Sequence, residues 1–432
     1  MNQPRVDPRT SELISFHSTF ISPYISYSVV PPAVNTAFTD ELMVQEPRLN
    51  LPVPGVSGPK LMHDFGVSKE HTIIMDLPLS LDPLNLLHGK PAVAYDPTTK
   101  SRFGVFPRYE PNEVTWFETN PCCIFHTANT WDTVEKCWRT GAVEKQVHLL
   151  ACRLTSASIV YSAGNLTAPT PTKQIPHQYQ EEEQCRLYYY QFILKNSDLP
   201  LANTSDPQIR HQWALSTLSF EFPTLRDSVS MTSARYIYGC TTALPTFSAA
   251  LGRATKISYL AKFDVQALIA SGIRDPPTQI KGSVDTRSIK EIINSADPND
   301  PIKVFEFPSY YYGQEASFVP RQNGTEEDDG WLLTYVFDER QVDADGECRV
   351  DAHSELWIID ARNMKDVVAK IRLPTRVPYG LHGKWFPEEQ VRSQRPVHEF
   401  RQVPSQSAGA AHQSVAWRAW LRGRIVVERW LA

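Results

Sequence analysis

Three histidines lie at the ends of apolar segments, beside small or turn-forming residues, where imidazoles could bind a metal ion. His63 is in the segment MHDFG, His126 is in CIFHTAN, and His382 is in VPYGLHG. Glycine on both sides of His382 lets other groups approach the backbone closely there. Neutral imidazole binds Zn, Cu, Fe and Ni, so residue type alone does not identify the metal. Taken singly, each histidine is better explained as a core residue bonded to backbone. Together, the three predict a histidine metal site.

Local signatures of other metal sites are missing from the sequence. Neither HExxH nor CxxC occurs, which argues against a compact zinc site. Of the 12 histidines, the other nine have ordinary polar neighbours. We interpret these as surface or incidental residues: His17, His71, His88, His148, His177, His211, His353, His398 and His412.

The scaffold that must bring distant histidines together is predicted to be all-β. Short runs rich in β-branched and aromatic residues, separated by turn residues, indicate strands throughout the chain. The clearest series is an antiparallel meander of Trp331–Phe337, Glu355–Ile359 and Val367–Leu373, which ends shortly before His382. Further strands are predicted at Leu13–Phe20, Ser26–Val30, Thr72–Asp76, Ala92–Tyr95, Arg102–Pro107, Val114–Glu118, Cys122–Phe125, Gln146–Leu154, Cys185–Leu194, Ser216–Phe222, Ala234–Gly239, Lys256–Phe263 and Ile302–Phe307. So many short strands favour a propeller or barrel over a simple sandwich.

Composition narrows the function classes. The 432 residues are 41% hydrophobic, which is enough for a substantial core. A net charge of −5 and a pI near 6.2 show no basic excess, so no nucleic-acid partner is expected. No apolar run is long enough to cross a bilayer. Seven cysteines in no regular framework, and an N-terminus without an apolar signal region, predict reduced thiols and a cytoplasmic location.

The strand pattern predicts one β-rich body over residues 1–390, followed by a linker and a terminal helix over residues 391–432. Two polar, proline-containing stretches, Pro169–Gln184 and Ile273–Asp300, are predicted to be surface loops. Val415–Leu431 has the pattern of a basic amphipathic helix. Such a helix could make peripheral contact with a membrane or pack on the protein body, and the pattern does not separate these alternatives.

Several sequence blocks, in order along the chain, carry a resemblance to a known family. They are MHDFGVSKEHTIIMDLPL around His63, FHTANTWD around His126, EFP at Glu221–Pro223, RYIYG at Arg235–Gly239, EASFVPR with EDDGWLL, and VPYGLHG around His382. They resemble the carotenoid cleavage oxygenases, which include carotenoid-, apocarotenoid- and stilbene-cleaving dioxygenases, over about Asn2 to Gln390. Two blocks, NPCCIFHTANTWD and RLTSASIVYSAGNL, are similar to fungal carotenoid-cleaving members.

The resemblance implies a seven-bladed β-propeller capped by loops and helices, with non-haem Fe(II) on its axis. It implies that His63, His126 and His382 are iron ligands. Glu221 and Glu315 match glutamates that accept hydrogen bonds from iron-bound histidines, which fixes the ring orientation. The implied reaction uses O2 to cleave a carbon–carbon double bond of an apolar polyene, giving two carbonyl products.

The N-terminal segment departs from the family pattern. MNQPRVDPRTSEL aligns with the block that contains the family's first iron histidine, and Gln3 stands in the histidine's position. The departure predicts an N-terminally truncated chain that lacks early propeller strands and a third such glutamate. Two other functions therefore stay open: a degenerate relative that binds polyenes or a partner without cleavage, and a propeller with a structural zinc site. The substrate, whether carotenoid, apocarotenoid or stilbene, is also left open.

Overall fold

The chain is mostly β in this computed structural model, as the strand pattern predicts. The structure describes residues 3–32, 46–88, 91–136, 143–163, 174–194, 207–244, 247, 256–278, 280–380 and 382–394. Within these residues, five larger sheets are each built on four antiparallel strands, and one of them has a fifth, parallel strand. A sixth sheet has two strands, and successive stretches of the chain build successive larger sheets.

The first sheet has the order β1 (Arg5–Val6), β2 (Leu13–Ser18), β3 (Ile25–Val30) and β4 (Arg48–Pro52). The next strands are β5 (Gly66–Val67), β6 (His71–Asp76), β7 (Leu79–Leu81), β8 (Val93–Tyr95), β9 (Ser101–Pro107) and β10 (Thr115–Thr119). The second sheet has the order β10-β9-β6-β5, and β7 pairs with β8.

The third sheet contains β11 (Cys123–Lys136), β12 (Val143–Leu154), β13 (Cys185–Ile193) and β14 (Gln208–Ser216). The fourth follows with β15 (Glu221–Thr224), β16 (Tyr236–Thr241) and β17 (Tyr259–Asp264). Next in the chain, β18 (Ser283–Asp285) pairs in parallel with β14, and β19 (Ile302–Glu306) completes the fourth sheet. The fifth sheet contains β20 (Tyr311–Pro320), β21 (Gly330–Asp338), β22 (Ser354–Asp360) and β23 (Val367–Arg372).

The helices in the described residues are short. They are α1 (Ser158–Ala163), α2 (Val265–Arg274), α3 (Ile289–Ile293) and α4 (Glu388–Arg392). Short 3₁₀ segments occur at Pro83–His88, Pro111–Glu113, His177–Tyr179, Asp227–Val229 and Glu339–Gln341. None of the described helices is long and apolar enough to cross a membrane.

The prediction of one long loop over Ile273–Asp300 is wrong, because this stretch contains the end of α2, all of β18 and all of α3. A capping box explains α3. The Ser288 side chain accepts a bond from the Glu291 amide, and the Glu291 carboxylate accepts one from the Ser288 amide. The strand prediction Ser216–Phe222 is also wrong in its middle, because β14 ends at Ser216 and β15 starts at Glu221.

The inner edges of successive sheets lie side by side. β5 contacts β11, β11 contacts β15, and β15 contacts β20. Sheets arranged in this way resemble propeller blades, whose innermost strands surround one axis. Residues far apart in sequence can therefore meet at these edges.

Packing between sheets buries both faces of their strands. All six residues of β6 are buried, including the consecutive Ile73, Ile74 and Met75. Burying one such apolar side chain stabilises the fold by about 1.5–3 kcal/mol. A strand covered on both faces reads as a continuous apolar run and not as an alternating one, which is why β6 was found from sequence.

Two histidines that were predicted to be surface or incidental residues are in fact buried. The Nδ1 atom of His71 lies 2.7 Å from the Asp132 carboxylate. His148 lies between the hydroxyls of Thr133 and Tyr189, at 2.6 and 2.8 Å. Its ring stacks on Trp131 with centroids 4.8 Å apart. Hydrogen-bonding partners on other strands make this burial favourable, and the local sequence does not show those partners.

The chain divides into two compact units, Met1–Trp385 and Phe386–Ala432. Within the second unit, the structure describes α4. The predicted helix at Val415–Leu431 lies outside the described residues. The predicted division into residues 1–390 and 391–432 stays a prediction.

Candidate metal centre

The three predicted ligand histidines lie together, although they come from three different parts of the chain. One ring nitrogen from each of His63, His126 and His382 lies within 4.8 Å of the others. The Nε2 atoms of His126 and His382 are 3.3 Å apart. His126 is buried, His63 is half-buried and His382 is exposed. The group therefore has one side in the protein interior and one side open.

The inner edges of the sheets position the site. His63 comes just before β5, His126 is in β11, and His382 follows β23 on an irregular segment. The two predicted glutamates lie on inner strands as well, with Glu221 at the start of β15 and Glu315 within β20.

Each of the three inner strands that supply site residues has an irregular register at the site residue or directly after it. Pairing of β11 shifts between Ile124 and Thr127, on either side of His126. Pairing of β15 shifts between Glu221 and Thr224, and that of β20 shifts between Gly313 and Ala316. Irregularities of this kind redirect side chains and release backbone groups from the ladder. They turn the histidine and the glutamates toward one point.

Each histidine has an acceptor for its Nδ1 atom. His126 Nδ1 is 2.6 Å from Glu221 Oε2, and His382 Nδ1 is 2.8 Å from Glu315 Oε2. His63 Nδ1 is 2.9 Å from the carbonyl oxygen of Phe125. A carbonyl or carboxylate oxygen can only accept, so each Nδ1 carries the hydrogen. All three Nε2 atoms are then left with a lone pair.

The Nε2 pair of His126 and His382 fits a bound cation. When both imidazoles are neutral, their Nε2 lone pairs, 3.3 Å apart, repel each other unless a positive charge, a proton or a metal ion, lies between. Imidazole nitrogens at about 2.1 Å from a metal, in neighbouring positions at right angles, are about 3 Å apart. The donor set and its spacing therefore suit a divalent metal that favours imidazole, a group to which iron and zinc belong.

Electrostatics at the site favour a bound cation for a further reason. Burial alone lowers the pKa of His126, but the adjacent Glu221 carboxylate outweighs burial and raises the pKa above its usual value. Burial, with a smaller contribution from His126, lowers the pKa of His63. The Glu221 and Glu315 carboxylates lie 2.6 and 2.8 Å from the Nδ1 atoms of His126 and His382, and acidic side chains this close to the imidazoles suit a bound cation.

Gln3 lies at the same site. Its Nε2 atom is 3.2 Å from His382 Nε2, to which the amide can donate. Gln3, which aligns with the family's first histidine, therefore has its side chain beside one of the three imidazoles, that of His382. Carbonyl oxygens are better suited to Mg, Ca and Mn than to iron.

Sequence reasoning missed two groups that hold the histidine segments. The Gln314 amide donates to the Pro378 carbonyl and accepts from the Gly380 amide, both at 3.1 Å, and so holds the turn before His382. The Asp64 carboxylate accepts from the Thr127 amide at 2.7 Å. The only sequence signal for either was adjacency, since Gln314 precedes Glu315 and Asp64 follows His63.

Aromatic rings line the site. The ring of Phe222 is 5.3 Å from that of His126 and 6.0 Å from that of His382. Phe125 is 5.9 Å from His63, and Phe247 is 6.5 Å from Phe222. Phe222 has a φ of 53°, which is unusual for a residue with a large side chain. Its amide bonds to Glu221 Oε2 at 3.0 Å, which helps to hold that conformation.

Comparison with known families shows to which family this chain belongs. A sequence model described as RPE65, retinal pigment epithelial membrane protein, matches residues 3–387. The chain belongs to this family. The resemblance to the carotenoid cleavage oxygenases is thereby confirmed, and the matched range contains all five predicted site residues.

Relatives of this RPE65-family chain are named as carotenoid dioxygenases. It is 47% identical to carotenoid dioxygenase carX of Gibberella fujikuroi, over 93% of this chain and 60% of that protein. It is 29% identical to carotenoid 9,10(9′,10′)-cleavage dioxygenase 1 of Pisum sativum, over 90% of this chain and 58% of the relative. The chain thus spans about 60% of the length of these relatives.

Solved structures support the fold of this family member. Lignostilbene dioxygenase of Pseudomonas brassicacearum aligns with a TM-score of 0.57 at 18% identity, covering 89% of this chain and 65% of that one. Cobalt-substituted Synechocystis ACO aligns with a TM-score of 0.54 at 19% identity, covering 89% and 64%. At these identities the likeness concerns the fold.

Proposed function

We propose that this chain is a non-haem Fe(II) dioxygenase that uses O2 to cleave a carbon–carbon double bond of a carotenoid or apocarotenoid, giving two carbonyl products. The observation that carries the proposal is the convergence of His63, His126 and His382, with two Nδ1–H groups held by Glu221 and Glu315. The 47% identity to a named carotenoid dioxygenase supports the substrate class.

In the proposed centre, His63, His126 and His382 hold the iron through Nε2. Bound Fe(II) supplies the activation of O2. Glu221, Glu315 and the Phe125 carbonyl keep the Nδ1 hydrogens in place, so that every ligand ring presents a lone pair. Phe125 and Phe222 provide apolar surface beside the site, which suits a polyene and disfavours water.

The whole protein is proposed to form a seven-bladed propeller with a cap of loops and helices. Five blade-like sheets in the described residues, and fold neighbours of which this chain covers about 65%, support this architecture. We propose a cytoplasmic location and, as partners, the polyene substrate and O2.

Peripheral membrane contact is proposed as the route to an apolar substrate. The 3₁₀ turn Pro83–His88 carries three exposed leucines, Leu84, Leu86 and Leu87, which are 64%, 62% and 80% exposed. Changing these three to serine should reduce flotation with lipid vesicles. The same change at the exposed Val350 should not, and equal flotation of both variants would contradict the contact.

The test of the proposed activity measures iron and cleavage separately. The purified chain is loaded with Fe(II) without O2, freed of loose metal, and analysed for iron. It is then given O2 with β-carotene, an apocarotenal or a hydroxystilbene, and carbonyl products are identified by mass spectrometry. His126→Ala, which keeps two of the three imidazoles, should lose most of the iron and all cleavage. His353→Ala is the control and should keep both iron and cleavage, because His353 is outside the histidine group and its Nδ1 atom lies 3.4 Å from the Asp351 carbonyl.

A second candidate function is favoured by Gln3, whose amide takes the place of an imidazole beside His382. This candidate binds the polyene or a partner without cleaving it. Iron binding without cleavage of any of the three substrates would support it. A chain that binds no iron would refute the dioxygenase proposal. Zinc in place of iron in the protein as purified from cells, with no cleavage after loading with Fe(II), would point to the structural zinc site.

A further inference from the structure

We propose that Asp64 is a positioning residue that sets the distance between the ligands His63 and His126, through a junction formed by Arg5, Asp64 and Thr127. This inference rests on the proposed metal centre. It assigns a role to a buried carboxylate that does not itself face the metal site as a ligand. The junction is defined here by those three residues and is called the Asp64 junction.

The Asp64 junction joins three chain segments that meet at the site. Asp64 follows His63 directly, Thr127 follows His126 directly, and Arg5 lies in β1, two residues after Gln3. Arg5 Nη2 donates to Asp64 Oδ2 at 2.5 Å, to Thr127 Oγ1 at 2.8 Å and to the Thr127 carbonyl at 3.1 Å. One guanidinium therefore bridges both ligand-bearing segments.

Both oxygens of the Asp64 carboxylate accept hydrogen bonds. Its Oδ2 atom accepts from the Thr127 amide at 2.7 Å and lies 2.9 Å from Thr127 Oγ1, in addition to Arg5. Its Oδ1 atom accepts from the Phe65 amide at 2.8 Å. Asp64 is completely buried. Both oxygens are thus required as acceptors, in a place where water cannot replace them.

The His63–Asp64 segment bonds to the strand that carries His126 at two points, one on each side of His126. His63 Nδ1 bonds to the carbonyl of Phe125, the residue before His126. Asp64 bonds to the amide of Thr127, the residue after His126. Both Phe125 and Thr127 lie at the irregular pairing of β11, which leaves these backbone groups available. Bonds before and after His126 fix its position along the strand relative to His63.

Asparagine cannot satisfy this arrangement. Asparagine has one acceptor oxygen and one NH₂ group. Its NH₂ group would therefore face either the Phe65 amide or the donors that now bond to Oδ2, and two donors cannot bond to each other. It also leaves the Arg5 charge without its carboxylate. We expect Asp64→Asn to change the spacing of His63 and His126 and to weaken metal binding about 10- to 100-fold, the usual effect of removing a group that orients ligands.

The experiment measures Co(II) and Fe(II) affinity by competition with a chelator, together with the Co(II) absorption spectrum, on the complete chain. The matched control is Asp76→Asn. Asp76 is another buried carboxylate of the same region, and its partners are Ser57, Lys60 and Arg102. Asp64→Asn should weaken affinity and alter the spectrum, whereas Asp76→Asn should lower the melting temperature only.

Thr127 supplies a second, milder pair of variants in case Asp64→Asn does not fold. Thr127→Val removes the hydroxyl and should weaken metal binding, and Thr127→Ser should restore wild-type affinity. The inference is overturned if Thr127→Val binds metal as the wild type does, or if Asp64→Asn and Asp76→Asn weaken binding equally. If the wild type itself binds no metal, the proposed function fails first, and the two failures are thereby distinguished.

Discussion

Replacing Glu221 with glutamine removes one charge from the proposed centre and changes little else. Glu221 is 3% exposed. Its Oε2 atom lies 2.6 Å from His126 Nδ1 and 3.0 Å from the Phe222 amide, while Oε1 is 3.7 Å from the Cys185 thiol. Glutamine has nearly the same shape and can keep an oxygen toward Nδ1. It cannot supply the negative charge that strengthens the bond and balances the metal.

The expected loss follows from that charge. A hydrogen bond to an ionised acceptor is roughly twice as strong as a neutral one. Removing partners of this kind lowers metal affinity about 10- to 100-fold, equivalent to about 1.4–2.8 kcal/mol. Glu221→Ala should lose more, because His126 can then change tautomer and the buried Phe222 amide loses an acceptor.

The assay is competition for Co(II) or Fe(II) against a chelator, with thermal unfolding measured in parallel. Glu12→Gln is the matched control, because Glu12 is also 3% exposed and bonds to Arg108 and Tyr109. We expect Glu12→Gln to lower the melting temperature and leave metal affinity unchanged. Wild-type affinity in Glu221→Gln, or an equal loss in Glu12→Gln, would refute the reasoning.

The remaining predictions concern Gln3 beside the histidines, the stability of the protein in acid, and the close packing around Gly239. The Gln3 amide nitrogen lies 3.2 Å from His382 Nε2, so Gln3→His should put a fourth imidazole beside the other three. This change should raise Fe(II) affinity about tenfold, equivalent to about 1.4 kcal/mol. No gain of affinity in a chelator titration would contradict the prediction. Burial lowers the pKa of His148 to about 4, so the unfolded chain takes up the proton first and stability falls between pH 6.5 and 4, by about 3 kcal/mol. His148→Gln should lose less stability than the wild type over this range in denaturant titrations, and parallel losses would show the reasoning to be wrong. Gly239→Ala places a methyl 2.5 Å from Phe220 and 3.0 Å from the Glu221 carbonyl, which should destabilise the protein by about 1–3 kcal/mol. Gly58→Ala, with open space around it, is the control, and equal melting temperatures for the two variants would contradict the contact.

Much of the β-structure was predictable because the sheets bury strands on both faces. The runs at β6, β13 and β21 are apolar enough to be recognised without knowledge of their neighbours. β11 was predicted only at its first residues, because Thr127, Asn129 and Thr130 are polar although buried. The Asn129 side chain bonds to the Thr232 carbonyl and the Met231 amide of another segment. Such partners make a polar strand stable, and no local pattern reveals them.

The sequence was enough to predict which residues form the candidate site, but not which hydrogen bonds hold them in place. Family resemblance singled out His63, His126, His382, Glu221 and Glu315, and the structure brings them together. The Phe125 carbonyl as partner of His63 was not predictable, because its availability depends on the irregular pairing of β11. Asp64 was missed for the same reason, since its donors come from segments far away in sequence.

The central claim is that three imidazoles bind one metal ion. X-ray absorption at the iron edge, on the chain loaded with Fe(II) without O2, measures the number of imidazoles around the metal and their distance. The account predicts three imidazole nitrogens at about 2.1 Å, falling to two in His382→Ala and staying at three in His353→Ala. Iron without imidazole scattering, or an unchanged count in His382→Ala, would contradict it.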